Sequence, residues 1–278
     1  KLSQTRKGEK MIMALKILIF TTVVCCCVFI SVGQSINAQE DSLKFVLEVS
    51  RHGSRSPTKI RYDNPNGNDW PYGMGHLTPL GMRQHYLLGQ ELQNRYVFEH
   101  RLFDPYYNYT QIYVRSSQSQ RTILSAQSQM LGLFPHGTGP EIEDPALRDK
   151  AIPPFKTRED NIVNVAAEAL PVWFNPIPIF SESKSRDYLL KPHNACKILK
   201  EIKDICWKMP EVEEFYQDRV VPLLSKIAEF SGYDESDLDV ETVSSIFGQV
   251  RCELFEAHKI SELIDDEIVR LSSDLQHL

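Results

Sequence analysis

An apolar segment near the start of the chain runs into a cluster of basic residues. Residues 43–49 alternate apolar and polar side chains, which predicts a largely buried β-strand. The seven residues 51–57, Arg-His-Gly-Ser-Arg-Ser-Pro, follow one position later. Open α/β sheets bind their ligands beyond the carboxyl ends of their strands. This order therefore predicts an α/β fold with a ligand site at the mouth of its first strand.

The basic cluster has the chemistry of an anion site. Arg51 and Arg55 each present a planar guanidinium that matches two oxygens of a phosphate group. Their charges disfavour a protonated His52, which favours the neutral, nucleophilic imidazole. Gly53 has no side chain, as expected where a ligand closely approaches the backbone. We predict a nucleophilic histidine between phosphate-binding arginines; the alternative is a loop histidine between two solvated arginines.

A second strand and two helices are predicted in the first half of the chain. Thr78 is followed by proline, which predicts a helix start, and apolar spacing extends this helix over residues 79–98. Residues 112–114 predict a short strand that ends in Arg115, and a helix follows through residues 123–131. The order of strand, turn and helix after the first basic cluster is therefore repeated.

Helical spacing dominates the chain beyond about residue 187. Four segments show it, and none alternates at the period of a strand: 193–208, 211–230, 237–257 and 260–276. We predict that they form a domain packed over the strand ends. The predicted organisation is a leader over residues 1–38, the N-terminal part of an α/β domain over 39–180, and a helical cap domain over 181–278.

The N-terminal leader is typical of a secretory signal peptide. Lys16 precedes an apolar run over residues 17–32, and small or polar residues continue to Ala38. The run is shorter than the roughly 20 residues that span a bilayer, so cleavage near Ala38 is favoured. The alternative is a membrane tether through residues 17–32. Either outcome predicts the secretory pathway, with a secreted or lysosomal product.

Composition excludes several classes of partner. The chain carries 31 Lys and Arg against 37 Asp and Glu, so nucleic acid is not an expected ligand. Its sequence contains no His-Glu-x-x-His or Cys-x-x-Cys pattern and no glycine-rich phosphate loop. We therefore predict neither a metal nor a cofactor.

The cysteines predict an unpaired thiol. Residues 25–27 are cysteines of the leader, which leaves Cys196, Cys206 and Cys252. Three cysteines cannot all pair with one another in an oxidising compartment. At least one is expected to be free or to pair with a residue outside this chain, so sequence is expected to be missing at the C-terminal end.

Residues 51–57 resemble the Arg-His-Gly-x-Arg-x-Pro signature of the histidine acid phosphatases. The similarity extends over residues 43–275, is closer to the prostatic and lysosomal branch than to phytases, and is most specific at 70–78, 81–89, 113–117, 121–122 and 176–178. It implies a phosphoglycerate mutase-like three-layer sandwich with an α-helical cap. Ser54 stands where many members carry Asp.

The resemblance also implies roles for individual residues. His52 would form a phosphohistidine, and three arginines would bind the phosphate: Arg51, Arg55 and Arg115. Arg121 is explained at least as well by a structural salt bridge. Cysteines that resemble Cys196 and Cys252 pair further along the chain in the family.

One part of the family pattern is missing from this sequence. The family uses a late His-Asp pair, whose Asp protonates the leaving group, and this chain contains no such pair. The candidate His258 is followed by Lys259, so no proton donor is assigned. The C-terminal part of the α/β domain is expected to be absent.

These residues predict an acid phosphatase that acts on small phosphate monoesters. One alternative is a truncated, non-catalytic fragment or pseudoenzyme that at most binds phosphate or a partner. A weaker one is a phosphomutase-like or phytase-like relative. Asn108-Tyr109-Thr110 is the one N-glycosylation acceptor sequence, consistent with a secreted chain.

Overall fold

A computed structural model describes residues 43–64, 70–153 and 166–275 of the chain. Leu47–Leu278 form one unit and Lys1–Val46 another, of which only residues 43–46 are described. The predicted signal segment and the possible tether lie outside the described residues. Within those residues, no helix combines the length and the apolar character needed to cross a membrane.

The two helices predicted in the first half of the chain are confirmed. Helix α1 spans Pro79–Gln93 and continues as a π-helix over Asn94–Glu99. The Thr78 hydroxyl accepts a hydrogen bond from the Gly81 amide at 3.2 Å and thereby caps α1. Helix α2 spans Gln120–Leu133 and ends before Pro135, which cannot donate a backbone hydrogen bond.

Helices α1 and α2 cross with their backbones in contact. A Cβ atom on Gly89 would overlap the carbonyl oxygen of Gln129, and one on Gly132 would overlap the carbonyl oxygen of Tyr86. Only glycine permits so close an approach. The two helices therefore form a tightly packed pair.

The sheet of the described residues has two parallel strands. Strand β1 spans Arg115–Ser117 and pairs with β2, Phe180–Glu182, with Arg115 opposite Phe180. The strand predicted at 112–114 thus begins three residues late, and Arg115 is its first residue. The physical reason is a preceding turn, in which the Ile112 amide donates to the Asn108 carbonyl at 3.0 Å.

The predicted first strand is wrong for the described structure. Residues 43–49 contain no strand, and the side chains of Phe45, Leu47 and Val49 are 77%, 77% and 75% exposed. Alternation identifies an amphipathic segment, but burial requires a neighbouring strand. The described residues provide none for this segment.

Helices recur through the described residues from Pro145 to Asp274, and in the later part of the chain they follow the predicted spacing. The helices of four or more residues are α3 Pro145–Lys150, α4 Pro192–Ala195, α5 Lys197–Cys206, α6 Pro210–Phe215, α7 Leu224–Ser231, α8 Val240–Phe255 and α9 Asp266–Asp274. Tyr216–Val220 is a π-helix, and single 3₁₀ turns cover Pro171–Trp173, Val221–Leu223 and Glu235–Asp237. Residues 260–265, predicted as helix, precede α9, because Asp265 caps it by accepting from the amide of Ile268.

The largest hydrophobic core lies among α7, α8 and α9. Its fully buried members include Ile227, Phe247 and Ile268. Tyr62, from the loop that follows the basic cluster, is buried in the same core. The loop therefore packs into the helical part of the chain, while the domain boundary predicted at residue 180 stays a prediction.

Helix α8 ends in a Schellman motif. The His258 amide donates to the Glu253 carbonyl at 2.8 Å, and the Ala257 amide donates to the Leu254 carbonyl at 3.1 Å. Ala257 has a φ of 56°, in the left-handed region that favours glycine. Glu256, at the C-cap, is held in a fixed position by this turn.

We predict that Gly89→Ala destabilises the protein by about 3 kcal/mol, because the new methyl group forces α1 and α2 apart. The matched control is Gly248→Ala in α8, where an added Cβ meets no atom within 4 Å. This control should stabilise the protein by about 0.5–1 kcal/mol, since alanine favours helix more than glycine. Urea unfolding measures both, and equal effects would contradict the close crossing.

Candidate active site

The basic loop at residues 51–57 lies directly against the first turn of α1. A Cβ atom on Gly53 would overlap the Gly81 carbonyl oxygen, and a Cβ atom on Gly81 would overlap the Ser54 carbonyl oxygen. The absence of a side chain at Gly53 was expected to admit a ligand. The structure instead shows that it admits the backbone of the helix.

Both helices of the α1–α2 pair hold this loop by hydrogen bonds. The Gly53 amide donates to the Ser125 hydroxyl of α2 at 3.1 Å. The Ser54 amide donates to the Gln84 side-chain oxygen of α1 at 2.8 Å. The Thr78 amide donates to the Ser54 carbonyl at 3.0 Å. The loop is therefore fixed on two sides.

The half-buried His52 has a defined tautomer. Its Nδ1 lies 2.8 Å from the Gly53 carbonyl oxygen. Because a carbonyl only accepts hydrogen bonds, Nδ1 carries the proton of the neutral ring and Nε2 carries the lone pair. Nε2 is thus the nitrogen able to attack an electrophile.

Burial and neighbouring charge keep this imidazole neutral. Burial, as the largest cause, and the positive charges of Arg121, Arg55 and Arg51 together lower the pKa of His52 to about 4. The hydrogen bond to Gly53 acts in the opposite direction and is outweighed. The side chain therefore stays uncharged in mildly acidic solution.

Arg55 and Arg121 both have free hydrogen-bonding capacity in this cluster. Arg55 Nη1 donates to the Ser56 carbonyl at 2.8 Å and lies 3.5 Å from the Cys252 sulfur. Arg121 Nη1 donates to the Gly75 carbonyl at 3.3 Å. The Nε atoms of both arginines are buried without a hydrogen-bond partner in the described structure. Such atoms are expected where an anion binds.

Arg121 lies close to Arg51 and Arg55, and its role in phosphate binding stays a prediction. Its alternative explanation was a salt bridge, but it forms none with the described residues. Burial lowers its pKa, and the charges of Arg55 and Arg51 lower it further, so the three guanidinium groups lie within electrostatic reach of one another. Its position at the start of α2, straight after β1, was the signal that could have identified it.

Arg115 forms an ion pair that the sequence analysis missed. Its Nη2 atom donates to the Asp187 carboxylate at 2.8 Å, and Asp187 is fully buried. The same carboxylate oxygen accepts from the Leu190 amide at 2.9 Å. The Arg115 Nε atom is buried without a hydrogen-bond partner in the described structure.

The remaining histidines and cysteines make structural contacts or stay unpaired. His85 Nε2 lies 3.0 Å from the Arg51 carbonyl, and the His258 ring stacks on Trp70 with centroids 4.2 Å apart. Cys196, Cys206 and Cys252 form no disulfide. The described ranges contain no group of three or more His, Cys, Asp or Glu residues able to hold a metal ion.

We predict that Arg121→Gln raises the pKa of His52 from about 4, because a nearby positive charge is lost. NMR titration of the ring nitrogens measures it, and the exposed Arg95→Gln is the control.

Because the pKa of His52 in the unfolded chain is 6.5, the unfolded state binds the proton first, and the protein should lose stability as the pH falls from about 6.5 towards 4. A His52 that titrates near 6.5 in the folded wild-type chain would contradict the described burial.

We predict that Asp187→Ala destabilises the protein by about 3 kcal/mol, because it leaves Arg115 partly buried without its counter-ion. Asp187→Asn should cost less, since the amide oxygen can still accept hydrogen bonds. The control is Glu182→Ala, whose exposed carboxylate lies 3.9 Å from Arg186 and whose loss should have no measurable effect. Denaturant unfolding measures all three, and similar losses for Asp187→Ala and Glu182→Ala would show that the buried pair contributes nothing.

Comparison with known proteins identifies the family. The model of the histidine phosphatase superfamily (branch 2) matches residues 42–278. Lysosomal acid phosphatase of Bos taurus is 32% identical over 220 residues, which are 77% of this chain and 44% of that protein. Prostatic acid phosphatase of Mus musculus is 34% identical over 205 residues, 72% of this chain and 45% of that protein.

The chain spans about half the length of the curated relatives that it matches. Prostatic acid phosphatase of Homo sapiens, for example, is 31% identical over 230 residues, 81% of this chain and 50% of that protein. The family match confirms the predicted α/β class with a phosphoglycerate mutase-like fold, of which the described residues include a small parallel sheet with helices. The chain belongs to branch 2 of the histidine phosphatase superfamily.

Proposed function

We propose that this protein hydrolyses phosphate monoesters in acidic surroundings through a phosphohistidine on His52. The observation that carries the proposal is the state of that side chain. Its Nδ1 proton is held by the Gly53 carbonyl, its Nε2 is free, and its pKa is lowered to about 4. A nucleophile of this kind keeps its lone pair at pH values where an ordinary histidine is protonated.

The proposed reaction has two displacements at phosphorus. Nε2 of His52 attacks in line, a P–N bond forms and the ester P–O bond breaks; a weakly basic leaving oxygen departs as the anion, and a more basic one takes a proton from solvent water. Water then attacks the phosphohistidine, the P–N bond breaks, and inorganic phosphate leaves while the neutral ring is restored. Positioning and charge stabilisation are the main contributions that a protein makes to such a transfer.

Four arginines would supply that stabilisation. Arg51, Arg55 and Arg121 act electrostatically on His52. Arg115 would reach the phosphate while its ion pair with Asp187 fixes the direction of its guanidinium. The buried, unpartnered Nε atoms of Arg55, Arg115 and Arg121 support this proposal.

The choice of substrate tests the nucleophile separately from the proton donor, to which no residue is assigned. A p-nitrophenolate leaving group is a weak base and departs without a proton donor, whereas an alkoxide needs one. A chain that carries only the nucleophile and the arginines should therefore cleave p-nitrophenyl phosphate far better than glycerol 2-phosphate. Activity towards both would indicate that another group donates the proton.

We also propose the secretory pathway as the location of the protein. The matched relatives are named lysosomal and prostatic acid phosphatases. The sequence at Asn108 lies in a turn, where the Asn108 side-chain oxygen accepts from the Thr110 amide at 2.9 Å, and Tyr109 is 82% exposed. Asn108 itself is half-buried, and its glycosylation is proposed from the acceptor sequence and the exposure of the neighbouring Tyr109.

We predict that His52→Ala lowers the hydrolysis of p-nitrophenyl phosphate at pH 5 by at least roughly 10³-fold, because the nucleophile is lost. The full chain is expressed through a secretory host, and initial rates are measured. The matched control is His100→Ala, a histidine outside the basic cluster, which should keep the wild-type rate.

Two results would count against this function. Activity that survives His52→Ala would exclude the phosphohistidine. A folded wild-type chain that binds phosphate but hydrolyses nothing would support the alternative, a non-catalytic fragment or pseudoenzyme.

A further inference from the structure

A carboxylate at the end of α8 lies against the loop that carries His52. The Ser54 hydroxyl donates a hydrogen bond to Glu256 Oε1, and the Thr78 hydroxyl donates to the same oxygen at 2.6 Å. Ser54 is two residues from His52, and Thr78 is the N-cap of α1. One carboxylate oxygen therefore joins the basic loop, the start of α1 and the end of α8.

The local sequence does not explain a carboxylate at this position. Glu256 is the C-cap residue of α8, at the negative end of the helix dipole, where an acidic side chain is unfavourable. The next residue, Ala257, adopts a left-handed conformation that favours glycine. Local rules that fail at two successive residues indicate that contacts elsewhere in the fold determine the position.

The same helical turn contacts the loop at two further points. Cys252 lies 3.5 Å from Arg55 Nη1. The fully buried Glu253 accepts hydrogen bonds from the Tyr62 hydroxyl and, at 3.1 Å, from the Asn64 side chain. The last turn of α8 thus holds residues 54–64 along their length, and Glu256 is the contact nearest to His52 in sequence.

The negative charge of Glu256 limits which side chains residue 54 can carry. An Asp at this position would place a second carboxylate against Glu256. Two carboxylates that share one site repel each other, and one of them is forced to take up a proton. Ser54 instead supplies a hydroxyl donor, so residues 54 and 256 are matched to each other.

We propose that Glu256 is a positioning residue for the phosphate site, because its carboxylate holds the His52 loop on α1 through Ser54 and Thr78. The inference rests on the proposed function only where phosphate binding is the readout. It assigns to the helical segment a direct part in the geometry of the site.

The test compares four variants by calorimetric titration with inorganic phosphate. Glu256→Ala should weaken phosphate binding about tenfold, because both hydroxyls lose their acceptor. Glu256→Gln should stay close to wild type, since its amide oxygen still accepts. Ser54→Asp should weaken binding at least as much as Glu256→Ala. Combining Ser54→Asp with Glu256→Gln should restore it, because the amide nitrogen can donate to the new carboxylate.

The matched control removes another carboxylate from the same helix. Glu241→Ala, in the first turn of α8, should leave phosphate affinity unchanged. If Glu256 had only a structural role, every variant with weaker phosphate binding would also have a lower free energy of unfolding. Glu256→Gln would then not restore phosphate binding. Unchanged affinity in Glu256→Ala, or equal affinity of Ser54→Asp with and without Glu256→Gln, would overturn the proposal.

A second readout does not require phosphate. Hydrogen exchange of the Gly53, Ser54 and Thr78 amides reports directly on the loop, and it should accelerate at least tenfold in Glu256→Ala but not in Glu256→Gln. If the wild-type chain binds no phosphate, the proposed function fails while this readout still decides the role of Glu256. Unchanged exchange in Glu256→Ala would overturn that role.

Discussion

The close contact between Gly53 and Gly81 is the constraint on which the site depends. Because neither residue has a side chain, the backbone of the His52 loop rests on the backbone of α1. That contact allows α1 and α2 to hold the loop by hydrogen bonds through Gln84 and Ser125. The position of the loop thus follows from a steric condition, while the hydrogen bond from His52 Nδ1 to the Gly53 carbonyl sets the tautomer of the histidine.

Features with a local cause could be predicted from the sequence. Thr78 and the proline after it mark the start of α1, and Pro135 limits α2, because capping and ring geometry act within a few residues. The strand predicted at residues 43–49 was wrong for the described structure, because its cause is not local. Alternation describes the faces of a segment, whereas its burial depends on a partner distant in sequence. The start of β1 was displaced because a turn at Asn108–Ile112 precedes it, and the strand begins where Arg115 pairs with Phe180.

The side chains of the site also divide into those that the local sequence predicts and those that it does not. The motif predicted roles for His52, Arg51 and Arg55, and the short strand predicted at 112–114 pointed to Arg115. Their partners come from far along the chain: Asp187 is 72 residues from Arg115, and Glu256 is 202 residues from Ser54. Each partner is an ordinary acidic residue within a helical or loop sequence, so no pattern distinguished it. Gly53 was correctly singled out but for a different reason, because its neighbour is a helix rather than a ligand.

The burial of Tyr62 in the helical core has a consequence for the order in which the protein folds. Its partners in that core, Phe247 and Ile268 among them, are translated long after it. Contacts across so large a sequence separation form slowly, and on the ribosome they must wait until α8 has emerged. During synthesis the nascent loop around His52 therefore lacks its final anchor. The loop therefore gains its contacts with the helical core only after α8 has been made, although His52 itself is made much earlier.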